Sequence, residues 1–362
     1  MAPLHHKRIL LISNKVMHYR VSVYNYFTEH FRNMGWKFAV LSDTFQIQNT
    51  RPPEFEYYKL PLTFNNCKTV IDQFDPSAVI LFLHLKDLAI WPLLHWLKVK
   101  RVPFAFWTKG GNWDNPGSKL RYQLFNYVHS ISDALILYAP ECLEFLKPVN
   151  RTKAFIAPNT INFYDFPNIA ETKEEIKKEF SIPFSKVVLF AGRMDEGRGR
   201  KKVEHLVEIF SSFPRADIGL IIVGAGMSPE NQKRLDGGNI RYLGEVHDPE
   251  NIQISKIFKM SDVCAIPGHV GLGLHQAFFW GLPVVTEHGM HPPEIRHLKA
   301  GINGFIVPQN DLASLKDHII YLLDNDDIRA RFSDHARDEI LNHASIEQMF
   351  RGFKDCLHYL SK

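Results

Sequence analysis

Residues 187–210 read VVLFAGRMDEGRGRKKVEHLVEIF: an apolar β-branched run, the pair Gly192-Arg193, a charged loop holding Gly197 and Gly199, and an amphipathic stretch from about Lys201. An apolar run without polar alternation is the mark of a strand covered on both faces, and the turn into a helix completes one βα unit of a parallel sheet. Outward from this unit the scheme repeats. Strand candidates follow at 218–223, 240–243, 263–266, 283–286 and 304–307, with helices beginning near Lys202, Pro229, Asn251, Leu274 and Leu312. From Asp311 onward every segment reads as helix. The first half carries strand candidates at 8–13, 37–42, 56–60, 78–84, 103–108, 134–138 and 154–157, and helical stretches at 21–32, 88–99, 118–131 and 141–146. Strict alternation of this kind predicts an α/β protein of two Rossmann-like domains, each a doubly wound parallel sheet, facing a central cleft. The expected limits are 1–165 and 166–343, with residues 344–362 forming a helix that packs back on the first domain.

The 362 residues suit two domains at about 150 residues each. Cys67, Cys142, Cys264 and Cys356 stand far apart with no CxxC spacing, so neither a zinc ribbon nor a disulfide framework is expected. The longest apolar stretches, 78–85 and 88–97, fall short of the roughly 18 residues of a membrane span, and the opening MAPLHHKRILLISN has no small-residue cleavage site. The expected place is the cytoplasm, at the inner face of a membrane. Net charge is +4, but residues 1–165 hold 19 Lys+Arg against 12 Asp+Glu, so the basic excess lies in the first half. That asymmetry points to an anionic partner, although an ordinary solvated face has the same signature.

Four segments of the second half carry chemistry. Gly192, Arg193 and Lys201 or Lys202 frame a strand-to-helix turn in which a guanidinium and an ammonium can clamp a diphosphate. In IPGHVGLGLHQAFFWGLPVV, Gly271, Leu272, Gly273 and Leu274 form a turn whose N–H groups can face a phosphate or a sugar hydroxyl, with Gln276 in the first helical turn beyond it. Glu294 stands at a later strand-to-helix junction. His269, His275, His288 and His291 cluster in sequence, but none has the HExxH spacing, and no metal is expected. VGAGMSPENQ offers Gly224 and Gly226 at a further strand end, with Pro229 where a dinucleotide fingerprint needs its third glycine.

Together, PNTINFYDF, FAGRMDEGRGRKKVEHLVEIF, LIIVGAG, IRYLGEV, MSDVCAIPG, GLPVVTEHGMHPPEI and GINGFIVP resemble, in order and spacing, the donor domain of the large retaining GT-B glycosyltransferase family four, glycosyltransferases group 1. The likeness spans residues 154–325, and the first half fits more loosely. It implies a hexosyltransferase that moves a sugar from a UDP- or GDP-linked donor to a glycan or lipid-linked acceptor, in surface polysaccharide or glycoconjugate synthesis, with no cofactor and no metal. Arg193 and Lys201 would neutralise the leaving diphosphate, with Gly192, Lys202, Gly226, Gly271–Leu274, Gln276 and Glu294 around the donor. His18, Arg20, Lys109 and Asn112 would line the acceptor side. Two departures stand out: Gly268 and Gln276 replace the family's paired glutamates, and Trp107-Thr108-Lys109-Gly110 stands where relatives often carry a histidine. Met17-His18-Tyr19-Arg20 also replaces the usual opening glycine-rich loop. Without a carboxylate nucleophile, front-face attack assisted by the departing phosphate is the expected route to retention. LAIWPLLHWLKVKR, with Trp91, Trp96 and Lys98, suits docking on an anionic membrane as well as a crossover helix. A nucleotide-sugar epimerase of the same architecture and a non-catalytic nucleotide-sugar-binding module stay open, and no nucleic acid partner is expected.

Overall fold

The structure, a computed structural model, describes residues 7–47, 50–111, 113, 117–194, 201–233, 235, 239–246 and 248–361. It divides into two compact units, residues 1–162 with 345–362 and residues 163–344.

The first unit is built on β1 (Arg8–Ser13), β2 (Lys37–Ser42), β3 (Glu56–Lys59), β4 (Ala78–Phe82), β5 (Phe104–Thr108), β6 (Ala134–Leu137) and β7 (Ala154–Ile156). All pairings are parallel, in the order β3-β2-β1-β4-β5-β6-β7. Its crossovers are α1 (His18–Asn33), α2 (Phe64–Phe74), α3 (Ile90–Lys100), α4 (Lys119–Ile131) and the short α5 (Pro148–Arg151). In the central strands nearly every residue is buried, as Ile9–Ile12 and Val79–Leu81 show, because helices cover both faces. The sequence reading passes over α2, although Cys67, Val70, Ile71 and Phe74 bury one face at helical spacing and Thr63 caps its start. The helix expected at 141–146 is instead a 3-10 turn, Pro140–Phe145. Pro148 disfavours helical backbone at Lys147, which is extended, so an α-helix has no room to propagate.

The second unit opens with α6 (Lys173–Glu179) and holds β8 (Lys186–Ala191), β9 (Ile218–Val223), β10 (Ile240–Tyr242), β11 (Val263–Ala265), β12 (Val284–Glu287) and β13 (Gly304–Val307), in the parallel order β10-β9-β8-β11-β12-β13. Its further helices are α7 (Val203–Ser211), α8 (Pro229–Lys233), α9 (Ile252–Met260), α10 (Leu272–Phe279), α11 (Leu312–Asp324) and α12 (Asp326–His343). The chain then re-enters the first unit as α13 (Ile346–Tyr359), started by a Ser345/Gln348 capping box. Phe353 of α13 packs 4.8 Å from Phe27 and 5.0 Å from Trp107, ring centre to ring centre, so this helix completes the aromatic core against α1 and β5.

Candidate functional site

Strand order reverses once in each sheet, between β1 and β4 and between β8 and β11. At such a reversal the connections leave to opposite sides, and a crevice opens beyond the carboxyl ends of the two strands. In the second unit, this is where Gly192, Lys201 and the 271–274 turn meet. β8 runs out into Gly192, whose carbonyl oxygen would lie 2.0 Å from a Cβ on Gly224, so only glycine lets the end of β9 come so close. The Met194 N–H donates to the Ala225 carbonyl at 2.8 Å, which fixes the turn on either side of Arg193, itself exposed. Lys201 lies back across this turn: a Cβ on Gly192 would stand 2.8 Å from its Cε and 3.2 Å from its Nζ. Lys201 Nζ donates to the His269 carbonyl at 3.0 Å, and its own carbonyl accepts from the Gly268 N–H at 3.0 Å.

On the other side of the reversal, Gly271 starts α10 at φ +49 with no capping side chain, and a Cβ on Gly273 would sit 3.5 Å from the Ala191 carbonyl. The end of β8, the Lys201 ammonium and the first turn of α10, Leu272 to Leu274, are therefore gathered in one place. First-turn N–H groups carry partial positive charge, and with an ammonium beside them they favour an anion. Gly197 and Gly199 lie outside the described residues, and Gly226, exposed at φ +88, stands two residues beyond the glycine that makes the close approach.

Lys202 turns elsewhere. Its backbone is left-handed, φ +51, a conformation that costs an L-residue about 1–2 kcal/mol. Its Nζ donates to Glu287 Oε2 at 2.7 Å and to Asn310 Oδ1 at 2.6 Å. The fully buried Glu287 carboxylate also accepts the Asn310 N–H at 2.8 Å and meets His205 Nδ1 at 2.5 Å. Burial alone would raise this carboxyl's pKa, but Lys202, the Asn310 N–H and His205 outweigh it and hold the group below its ordinary value. No local motif announces this cluster, because Lys202 and Glu287 are 85 residues apart.

Gln276 falls in the second turn of α10 rather than the first, because the helix starts at Leu272 and not nearer Leu274; it is half-buried. Glu294, 5% exposed, sits on the 3-10 turn Pro293–His297, which packs on α10. From the same turn His297 meets Glu339 of α12 at 3.0 Å, and Lys299 reaches the other carboxylate oxygen at 2.5 Å. Burial opposes these bonds, yet His297 and Lys299 pull the Glu339 pKa down to about 2. His275 is fully buried edge-on to His297 at 5.1 Å, and burial drives its pKa well below the ordinary value, so it is a neutral core residue. His291 Nε2 bonds the Glu287 carbonyl at 2.8 Å. Among the described residues, no three His, Cys, Asp or Glu gather in a way that could hold a metal ion.

In the first unit, Arg20 is an interior cation, 2% exposed, donating to Asn159 Oδ1 at 2.5 Å with its guanidinium 4.6 Å from the Trp107 ring centre. His18 opens α1, half-buried and edge-on to Tyr19. Lys109 follows β5 with its Nζ 6.0 Å from the Tyr138 ring, and its carbonyl accepts Trp113 Nε1 at 2.8 Å. Asn112 lies outside the described residues. On α3, Trp91 and Trp96 are half-buried, and Lys98 pairs with Asp133. More apolar surface is exposed on α4, where Leu120, Tyr122 and Tyr127 face solvent. Beside them Lys119, Lys147, Gln123, Asn126 and Ser130 line a hollow of about 550 Å³.

Comparison with known proteins puts this geometry in context. Residues 185–325 match the family described as Glycosyl transferases group 1. A phosphatidyl-myo-inositol mannosyltransferase of Mycobacterium leprae is 34% identical over 157 residues, 41% of this chain and 40% of that protein. The chain spans between 40% and 60% of the length of the first curated relatives it matches. Among solved structures, a glycosyltransferase from Rickettsia africae superposes with a TM-score of 0.78 over 99% of both chains at 15% identity. Anabaena Alr3699/HepE in complex with UDP-glucose superposes with a TM-score of 0.75 over 98% of this chain and 100% of that one, at 13% identity. At these identities the structural likeness is one of fold. The second unit is thus similar over residues 185–325 to the group 1 glycosyltransferases, and the chain shares the GT-B fold of its structural neighbours along nearly its whole length.

Proposed function

We propose that the protein transfers a sugar from a UDP- or GDP-linked donor to a glycan or lipid-linked glycan, in surface polysaccharide or glycoconjugate synthesis, with retention of configuration. The observation that carries this reading is the Lys201 side chain laid across Gly192 beside the first turn of α10. As the bond from sugar to phosphate breaks, negative charge grows on the leaving diphosphate. An ammonium, the Arg193 guanidinium and helix N–H groups stabilise that charge more in the transition state than in the bound donor. Gly268 and Gln276 supply no carboxylate nucleophile, so the departing phosphate oxygen accepts the acceptor's proton on the face it leaves, which retains configuration. A nucleotide-sugar donor is further supported by the UDP-glucose held by Anabaena Alr3699/HepE. His18, Arg20 and Lys109, with Asn112, are assigned to the acceptor.

The lysines and exposed aromatic and aliphatic side chains around α4 suit an anionic lipid surface, as a lipid-linked acceptor requires. Calorimetry with UDP and with GDP, followed by NMR of the product's anomeric proton, tests the reading. One nucleotide is expected to bind and to bind about tenfold or more weakly to Lys201→Ala, the scale of one charge-assisted hydrogen bond. Binding of neither, with no sugar transferred from either class of donor, overturns it.

A further inference from the structure

We infer that Glu287 is a positioning residue for Lys201, acting through the left-handed backbone of Lys202; this rests on the donor site proposed above. A non-glycine residue stays left-handed only where its surroundings over-determine it. At Lys202 those surroundings centre on one buried carboxylate, with Asn310 Oδ1 on the same ammonium and the His205 N–H on the Lys202 carbonyl. Glu287 holds the Lys202 ammonium, takes His205 from the first turn of α7, and accepts the N–H of Asn310, whose side chain also takes Lys202. Two segments distant in sequence, the Lys202–His205 turn into α7 and Asn310, are thereby pinned to one group at the end of β12.

The residue before the pinned one is Lys201. Its carbonyl must meet the Gly268 N–H while its side chain runs back over Gly192 to the His269 carbonyl. Both contacts depend on the direction in which the chain enters α7, and the backbone of Lys202 sets that direction. Were Lys202 extended or right-handed, the peptide joining it to Lys201 would rotate and carry the ammonium off the turn. The buried carboxylate does not meet the diphosphate. It fixes where the neighbouring cation stands, and the Lys202 ammonium serves as the lock that Glu287 closes.

A double-mutant cycle tests this on the nucleoside diphosphate, UDP or GDP, that the wild-type protein binds. Glu287→Gln keeps the shape of the side chain but removes its charge. It is expected to weaken binding about tenfold when Lys201 is present and by less than about twofold on the Lys201→Ala background, because only a positioned ammonium has affinity to lose. A general loosening of the unit would cost the same on both backgrounds and would overturn the inference, as would wild-type affinity in Glu287→Gln. Amide hydrogen exchange at Gly268 in the ligand-free protein gives a readout that does not need the donor site. Glu287→Gln is expected to speed that exchange, and to add nothing on a Lys202→Gly background, where glycine is left-handed without a brace. If neither UDP nor GDP binds the wild-type chain, the donor reading falls and the Gly268 exchange alone decides the brace: unchanged protection in Glu287→Gln ends it.

Discussion

Lys201 and Arg193 carry the same charge in different settings, one tied to a carbonyl across the turn and the other exposed at the strand end. Replacing either with alanine is expected to lower kcat by about 10²-fold or more, since each removes a cation from charge that grows in the transition state, while thermal melting barely moves. Wild-type turnover in both folded variants would dismiss the assignment. If these cations do the neutralising, as proposed, transfer is expected to continue in EDTA; loss on chelation, restored by Mg²⁺ or Mn²⁺, would contradict this. Gln276→Ala is expected to weaken nucleoside diphosphate binding by about 1–2 kcal/mol and Glu294→Gln by more, since Glu294 is the more buried. Unchanged affinity in both would leave the backbone turn at Gly271–Leu274 as the recognition surface. What was legible at this scale was local: Gly192, Lys201 and the 271–274 turn each sit within one βα unit. Glu287 reaches Lys202 only through the fold, and Arg20, which by its charge reads as a surface residue, is in the interior because Trp107 and Asn159 accommodate its guanidinium.

Strands were the more readable elements, because a parallel sheet covered on both faces turns each strand into a short apolar run that punctuation residues delimit. Helices were less so. α2 hides its four buried apolar residues among Asn65, Asn66 and Lys68, whereas the apolar α3 draws attention with tryptophans that are half-buried. α4 carries two consequences of its own. His129 on its inner side is fully buried, and neither ring nitrogen has a hydrogen-bond partner among the described residues. Burial, with a smaller push from Lys153, lowers its pKa from 6.5 to about 4. Between those values the unfolded chain takes up a proton that the folded one refuses, so stability falls as pH falls through that window. From pH 7 to pH 5, the wild type is expected to lose about 2 kcal/mol more than His129→Leu in denaturant titrations read by tryptophan fluorescence. Equal losses would show that the ring is not the titrating group. On its outer side, Lys119 and, across the hollow beside it, Lys147 before α5 are expected to contribute about 1 kcal/mol each to binding anionic lipid. Replacing both with alanine should then cut sedimentation with phosphatidylglycerol vesicles by about 30-fold and leave the weak binding to phosphatidylcholine unchanged. Equal binding of the two vesicle types by the wild type would remove the lipid surface from the proposal.

At the scale of the molecule, the return of α13 to the first unit makes the second unit an insertion, residues 163–344, within a unit whose own sequence is split. Five of the six tryptophans, all but Trp280, lie in the split unit, so fluorescence follows it almost alone. The order of synthesis is therefore the reverse of the order of completion. A ribosome delivers every residue of the second unit by Ala344, before Phe353 exists to meet Phe27 and Trp107. The sheet made first is left with its aromatic face open while the later one can already close. During translation it is the older half of the polypeptide that stays exposed to chaperones and proteases, until α13 emerges and seals it.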